Sequence, residues 1–102
     1  MAKYLLVYYG GQMETDPKKQ AKSMDAWMKW FGSLGKAVVD GGAPTMPGKI
    51  VTATGVKSPG VKPVTGYSIM QAANMDAALK IAKGSPQITA GGQVAVYELA
   101  PM

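Results

Sequence analysis

Asp40 is the acidic residue whose surroundings most favour chemistry. It is followed by Gly41 and Gly42, and it comes soon after the aromatic segment AWMKWF of residues 26–31. A carboxyl group held against apolar walls can act as a general acid or base. The alternative is a turn aspartate that accepts hydrogen bonds from the amides of the glycines after it. No second acid lies near it in sequence, so paired-carboxylate chemistry has no visible partner.

Three tyrosines on three predicted strands are the candidate ligand-binding residues. If their strands are neighbours, the hydroxyls of Tyr8, Tyr67 and Tyr97 can line a cavity and bind an aromatic or carboxylated ligand. Lys49 or Lys62, in a glycine-rich connection, can meet a ligand carboxylate. The alternatives are ordinary ones, because tyrosine is common in sheets and interfaces and lysine is usually solvated.

A helix that begins at Asp16-Pro17 supplies the last candidate, Trp30. Aspartate caps free amides, and proline suits the first helical position. Apolar residues then recur at spacings of three and four and predict one buried stripe: Met24, Trp27, Met28, Phe31, Leu34 and Val38. The stripe places Trp27 and Phe31 in the core. Trp30 falls about 60° from Trp27 around the helix, at the edge of the stripe, where it would line a pocket or a subunit interface.

The composition excludes several classes of site. The chain has 102 residues with neither cysteine nor histidine, which removes thiolate nucleophiles, catalytic triads and imidazole or thiolate metal ligands. No glycine-rich nucleotide motif or calcium loop is present, so we expect no cofactor and no metal. The charge of +5 comes from scattered lysines without any arginine, and we expect no nucleic-acid binding. Lacking a signal peptide and any membrane-length apolar run, the protein is expected to be cytoplasmic.

The remaining pattern predicts one α+β domain over residues 1–102. Residues 3–9 predict a strand that is apolar on both faces, and residues 67–72 and 94–99 predict two more. Asn74 is a natural cap for a second helix, and residues 36–66 contain turns with one or two short strands. The order β-α-β-β-α-β is that of the ferredoxin-like fold. Two helices cover one face of such a sheet, so we expect a homodimer through the other face. The alternative is that segment 41–66 folds over it.

Several segments resemble the YCII-related (DGPF-type) family of small proteins. The most specific are WFGSLG followed by VVDGGAP, and GYSIMQAANMDAALKIAKGSP, and the resemblance runs nearly end to end. It implies a dimeric α+β barrel of ferredoxin-like halves. Most members have no assigned reaction, and a few relatives are similar to muconate-processing lyases with a histidine-aspartate pair. Only Asp40 matches an acidic position of the family; the Asp-Gly-Pro-Phe loop and the catalytic histidine are absent here.

These patterns lead to one main functional prediction and two alternatives. The main prediction is a homodimer that binds a small molecule or a protein partner without catalysis of its own. The first alternative is a lyase- or isomerase-type enzyme acting on a small hydroxylated or carboxylated compound, with Asp40 as the acid or base. The second is a cofactor-free monooxygenase, which fold analogy alone supports.

Overall fold

The computed structural model describes residues 1–10, 16–60 and 63–101 of the chain. Its strands and helices are, in chain order, β1 (Ala2–Tyr9), α1 (Pro17–Leu34), β2 (Val38–Pro44), β3 (Ile50–Thr52), β4 (Gly55–Lys57), β5 (Val64–Ala72), α2 (Met75–Lys83), α3 (Pro86–Thr89) and β6 (Gln93–Glu98). A single 3-10 turn over Gly35–Ala37 joins α1 to β2. Among the described residues, no helix is long and apolar enough to cross a bilayer.

Four strands form one antiparallel sheet in the order β2-β5-β1-β6. This order, with α1 and α2 as crossovers, is that of the ferredoxin-like fold, so the predicted α+β architecture is confirmed. The two short strands β3 and β4 form a separate hairpin within the connection between β2 and β5. Of the short strands predicted within residues 36–66, the first is β2, which belongs to the main sheet. The segment predicted as the second forms the β3–β4 hairpin, which does not belong to the main sheet.

The predicted helix caps are also confirmed. The Asp16 carboxylate accepts a hydrogen bond from the backbone N–H of Lys18 at 3.0 Å, directly before Pro17. The Asn74 side chain accepts one from the N–H of Ala77 at 2.9 Å. Each side chain satisfies an amide that the first helical turn leaves without a partner, which fixes where the helix begins.

The core lies between the sheet and the helices. Alternate residues of β1 point into it, and Tyr4, Leu6 and Tyr8 are all less than 5 % exposed. The rest of the buried apolar cluster comes from one helix-facing strand surface and from the helices: Met70, Ala72, Trp30, Ala78 and Ala82. Because successive strand residues point to opposite faces, the other alternation of β1 and its neighbours forms a second surface that no helix covers. We call this second surface the open face.

Two expectations about packing are wrong in part. Met24 and Met28, placed in the buried stripe, are 67 % and 71 % exposed, whereas Trp30, placed at its edge, is buried. Met24 is exposed because α1 packs only through its last two turns, and residues 17–26 are all exposed. Within those two turns the packed side is that of Trp27, Trp30, Phe31 and Leu34, and Met28 lies outside it. The alternative in which segment 41–66 covers the sheet is not what the structure shows either, since residues 39–58 are exposed without exception.

Candidate functional site

The predicted site residues fall on opposite faces of the sheet. Tyr8 and Trp30 belong to the core beneath the helices. Tyr67 and Tyr97 lie on the open face, at 37 % and 56 % exposure. Asp40 is paired with Ile69 in the register of β2 and β5, and thus belongs with the open-face set. The sheet brings three of the five candidates to one surface and separates the other two from them.

Tyr8 has its hydroxyl committed to the interior. The hydroxyl donates to Ser68 Oγ at 2.8 Å, and Ser68 Oγ in turn donates to the carbonyl of Gly41 at 2.8 Å. The edge of the Tyr8 ring meets Trp27, with centroids 5.0 Å apart. Burial raises the pKa of Tyr8, and the hydrogen bond with Ser68 opposes that rise. These three linked groups tie β1, β5 and β2 together beneath the helices.

Trp30 lies in an aromatic group at the end of α1. Its ring centroid is 5.6 Å from that of Trp27 and 5.0 Å from that of Phe31. Both pairs are tilted or edge-on, the arrangements that aromatic rings prefer. At 8 % exposure, Trp30 helps to anchor α1 on the sheet.

Tyr67 and Tyr97 frame the open face from two strands that flank β1. Tyr67 is opposite Val7, and Tyr97 is opposite Leu5. With strands about 4.8 Å apart and about 3.4 Å per residue, the two tyrosine Cα atoms are about 12 Å apart. The floor between them consists of half-buried aliphatic side chains.

Asp40 lies at a bulged edge of the same face. Its carboxylate Oδ1 accepts a hydrogen bond from the N–H of Gly42 at 2.8 Å, and the side chain is exposed. Gly42 has φ +72°, and a Cβ there would overlap the backbone carbonyl of Tyr67. Only glycine permits this approach. The local hydrogen bond is the one expected of a turn aspartate, and the bulge holds Asp40 at the Tyr67 edge of the face.

Tyr4 is a buried tyrosine that was not predicted as a site residue. Its hydroxyl donates to Glu98 Oε1 at 3.3 Å. Burial raises the pKa of Tyr4 most, and the negative charge of Glu98 and the hydrogen bond to it add to the rise. The pair fastens the C-terminal end of β6 to β1.

Other polar groups serve the framework. Gln87 Nε2 donates to the carbonyls of Tyr9 and Gly10, at 2.8 and 3.0 Å, and joins α3 to the end of β1. Lys49 is exposed, and Lys62 lies outside the described residues. Within the described part of the chain, no cluster of acidic residues could hold a metal ion.

Ser68 and Gln87 were missed by sequence reasoning. For Ser68 a signal existed: it has the same strand parity as Met70 and Ala72, so a small polar residue was placed at a core position. For Gln87 the sequence contains no comparable signal.

A shallow groove of about 440 Å³ runs beside the edge strand β6. Its lining residues are Tyr9, Ile88, Gly92, Gln93, Val94 and Ala95. None of the predicted site residues lines this groove. Because Val94 and Ala95 point to opposite faces of the sheet, the groove follows the strand edge rather than the open face.

Comparison with known proteins supports the architecture. No protein-family model matches the chain, and no curated protein matches it significantly. Among solved structures, the chain is similar to 5-chloro-2-hydroxyhydroquinone dehydrochlorinase (TftG) from Burkholderia phenoliruptrix AC1100, in complex with 2,5-dihydroxybenzoquinone. The TM-score is 0.60 at 15 % identity, over 96 % of this chain and 93 % of that one. At this identity the similarity concerns the fold.

Proposed function

We propose that the chain is a single YCII-related domain, residues 1–102, that forms a homodimer through its open face. Between the two sheets it binds a small molecule, and it has no catalytic activity of its own. The observation that carries the proposal is the open face itself, a largely apolar sheet surface beneath which nothing in the described chain packs. Its members are Leu5, Val7, Tyr9, Tyr67, Ile69, Ala95 and Tyr97.

The total surface of the chain supports a partner. A compact monomer of 10.7 kDa is expected to expose about 5500 Å². This chain exposes 7365 Å². The excess is about 1900 Å², more than the ~800 Å² that each partner contributes to an interface of standard size. A second copy is the partner that two-fold symmetry makes self-complementary.

The chemistry of the open face suits a small hydroxylated ring. Leu5, Val7 and Ile69 offer an aliphatic floor, and Tyr67 and Tyr97 offer hydroxyls that donate or accept. Two such faces opposed across a dimer axis would enclose a flat ligand from both sides. TftG, which shares the fold, is complexed with 2,5-dihydroxybenzoquinone, a flat ring with hydroxyl and carbonyl oxygens. We therefore propose a ligand of the hydroxylated or carboxylated aromatic class.

The state of Asp40 supports binding rather than catalysis. Its carboxylate is solvent-exposed and already accepts a hydrogen bond from the Gly42 amide, so it lacks the enclosed, water-excluded setting that is typical of catalytic groups. Among the members of the open face, the groups that could transfer a proton beside Asp40 are the hydroxyls of Tyr9, Tyr67 and Tyr97.

The dimer is tested first by sedimentation of the wild type and of Val7→Lys. Val7 lies at the centre of the open face, so a lysine there places two like charges across the axis. We expect the wild type at twice 10.7 kDa at micromolar concentration and Val7→Lys as a folded single chain. The matched control is Met28→Lys, on the opposite side of the molecule, which should remain dimeric. A wild type that sediments as one chain would overturn the proposal.

Ligand binding is tested by titration calorimetry with 2,5-dihydroxybenzoquinone as the probe. Tyr67→Phe and Tyr97→Phe each remove one hydroxyl and should weaken binding about 2- to 10-fold. Tyr4→Phe, on the helix-covered face, is the matched control and should leave the affinity unchanged. Equal affinity in all three variants would show that the open face is not the binding site.

The enzyme alternative is favoured by one observation, that TftG is a dehydrochlorinase. In this alternative Asp40 transfers a proton to or from a hydroxylated compound on the open face. Asp40→Asn keeps an oxygen to accept the Gly42 amide, so fold and binding should survive. The enzyme alternative requires that the wild type turns over such a compound and that Asp40→Asn loses this rate. It also requires that the rate of the wild type depends on the ionisation of one carboxyl group and that this pH dependence disappears in Asp40→Asn. These results together would replace the binding proposal with the enzyme alternative.

A further inference from the structure

We infer that the β3–β4 hairpin of each copy lies against the open face of the other copy and completes the wall of its ligand site. The inference rests on the proposed dimer, and it adds that hairpin residues of one copy contribute to the ligand site of the other. The hairpin carries the exposed apolar side chains of Val51 and Val56. They are directly opposite each other in the hairpin and are 77 % and 62 % exposed. They therefore form one exposed apolar surface on the β3–β4 hairpin, which we also call the arm.

The described part of its own chain does not cover the hairpin. Residues 50–57 are all exposed, and the hydrogen bonds of Thr52 and Thr54 remain within the turn. A two-stranded hairpin alone is marginally stable in water. β-branched residues such as Val51 and Val56 favour a packed sheet surface. An arm with these properties gains its stability when its apolar side is covered.

The arm has a fixed base and sufficient reach. At the base, the backbone N–H of Thr45 donates to the carbonyl of Thr65 at 3.0 Å, and the Thr45 hydroxyl donates to the carbonyl of Val64 at 2.7 Å. From Thr45 to the tip at Ala53 the chain can extend about 26 Å. The outer strands of the four-stranded sheet are about 15 Å apart. The hairpin is therefore long enough to cross a whole sheet face.

The arm does not cover its own open face. Tyr67 and Tyr97 remain exposed there, and the molecule measures 41 × 39 × 18 Å. The 18 Å dimension accommodates one sheet and one helix layer, which pack about 10 Å apart. A third layer beneath the sheet would exceed it. The hairpin thus extends within the broad plane of the molecule, where it is available to a neighbour.

A second copy is the neighbour that best fits the size of the interface. The open face measures about 15 by 17 Å, roughly 250 Å² in projection. Even with side-chain relief, this is well below the ~800 Å² per partner of a standard interface. Two arms exchanged across a two-fold axis add apolar area at both ends of the face. The same arrangement would cover the valines and close the ends of the ligand site between the sheets.

The test uses the absence of cysteine from the chain. Single-cysteine chains Val51→Cys and Ala95→Cys, tagged to differ in size, are mixed and treated with a short bismaleimide. Ala95 lies on the open face opposite Val7. We expect a cross-linked heterodimer from this mixture, and no more than background from Met28→Cys with Ala95→Cys. The double variant Val51→Thr/Val56→Thr keeps β-branched residues in the hairpin and should weaken dimerisation by about tenfold or more.

The outcomes separate this inference from the proposed function. A dimer in which Val51→Cys cross-links no better than Met28→Cys, and which the double threonine variant leaves unchanged, overturns the arm contact and keeps the sheet-to-sheet dimer. A wild type that sediments as a single chain overturns both. Cross-linking together with a weakened dimer in the threonine variant supports both.

Discussion

Ser68→Ala tests whether the hydrogen bonds that link Tyr8, Ser68 and Gly41 stabilise the pairing of β1, β5 and β2. In the native protein Ser68 Oγ accepts from the Tyr8 hydroxyl and donates to the Gly41 carbonyl, both at 2.8 Å, with no exposure to solvent. Alanine removes both hydrogen bonds and leaves the buried Tyr8 hydroxyl without a partner, whereas Gly41 is exposed and its carbonyl can bond to water.

The expected cost follows from the lost hydrogen bonds and from the one buried hydroxyl that is left unpaired. A lost hydrogen bond contributes about 1 kcal/mol net, and an unsatisfied buried group costs about 1–3 kcal/mol. We expect Ser68→Ala to lower the free energy of unfolding by about 2–3 kcal/mol. For a domain of this size that corresponds to a fall in Tm of roughly 10–20 °C. Tyr8→Phe leaves the Ser68 bond to Gly41 intact and should cost only about 1 kcal/mol.

The assay is urea unfolding followed by the fluorescence of Trp27 and Trp30, at one fixed protein concentration because a dimer makes stability concentration-dependent. Ser33→Ala is the matched control, since the Ser33 hydroxyl bonds only the Trp30 carbonyl within α1; it should stay within about 0.5 kcal/mol of wild type. The double variant Tyr8→Phe/Ser68→Ala should lose less stability than the sum of the losses in the two single variants, because both changes remove the same hydrogen bond. A Ser68→Ala protein as stable as the Ser33→Ala control would show that the hydrogen bonds of Ser68 do not stabilise the fold.

Three further predictions concern the bulge, a helix cap and alkaline stability. Gly42→Ala forces a Cβ into the Tyr67 carbonyl at a positive φ, so we expect a loss of about 3 kcal/mol or more in urea unfolding, with rapid amide exchange along β2. Asn74→Ala removes the acceptor for the Ala77 amide and should cost about 1 kcal/mol by the same assay, whereas Asn74→Asp should restore it. Because burial raises the pKa of Tyr8 above 10.0, the folded state keeps that proton longer than the unfolded state does. The contribution of this proton to the free energy of unfolding is therefore complete below about pH 10 and is lost as the pH rises through the pKa of Tyr8 in the folded state. The loss of stability at alkaline pH should be smaller in Tyr8→Phe.

The sequence determined the architecture because the signals for it are local. Asp16 and Asn74 are capping residues followed by apolar residues at helical spacing, and both cap their helices as expected. The segment around Tyr8 is rich in aromatic and aliphatic residues without a breaker, and it forms the predicted strand β1. These features depend on neighbours within a few residues, and such neighbours are visible in the chain itself.

The site depended on relations that no local pattern contains. Tyr8, Tyr67 and Tyr97 look alike in sequence, yet strand parity and register send the first into the core and the others to the open face. Trp30 is buried with the core cluster because the last turns of α1 are the part of that helix that packs on the sheet. Which residues meet across 27 or 60 positions of chain, as in the Gly41–Ser68–Tyr8 hydrogen bonds, is decided by strand pairing. Sequence spacing fixes the face of an element, whereas the partner of that face is chosen only when the elements pack.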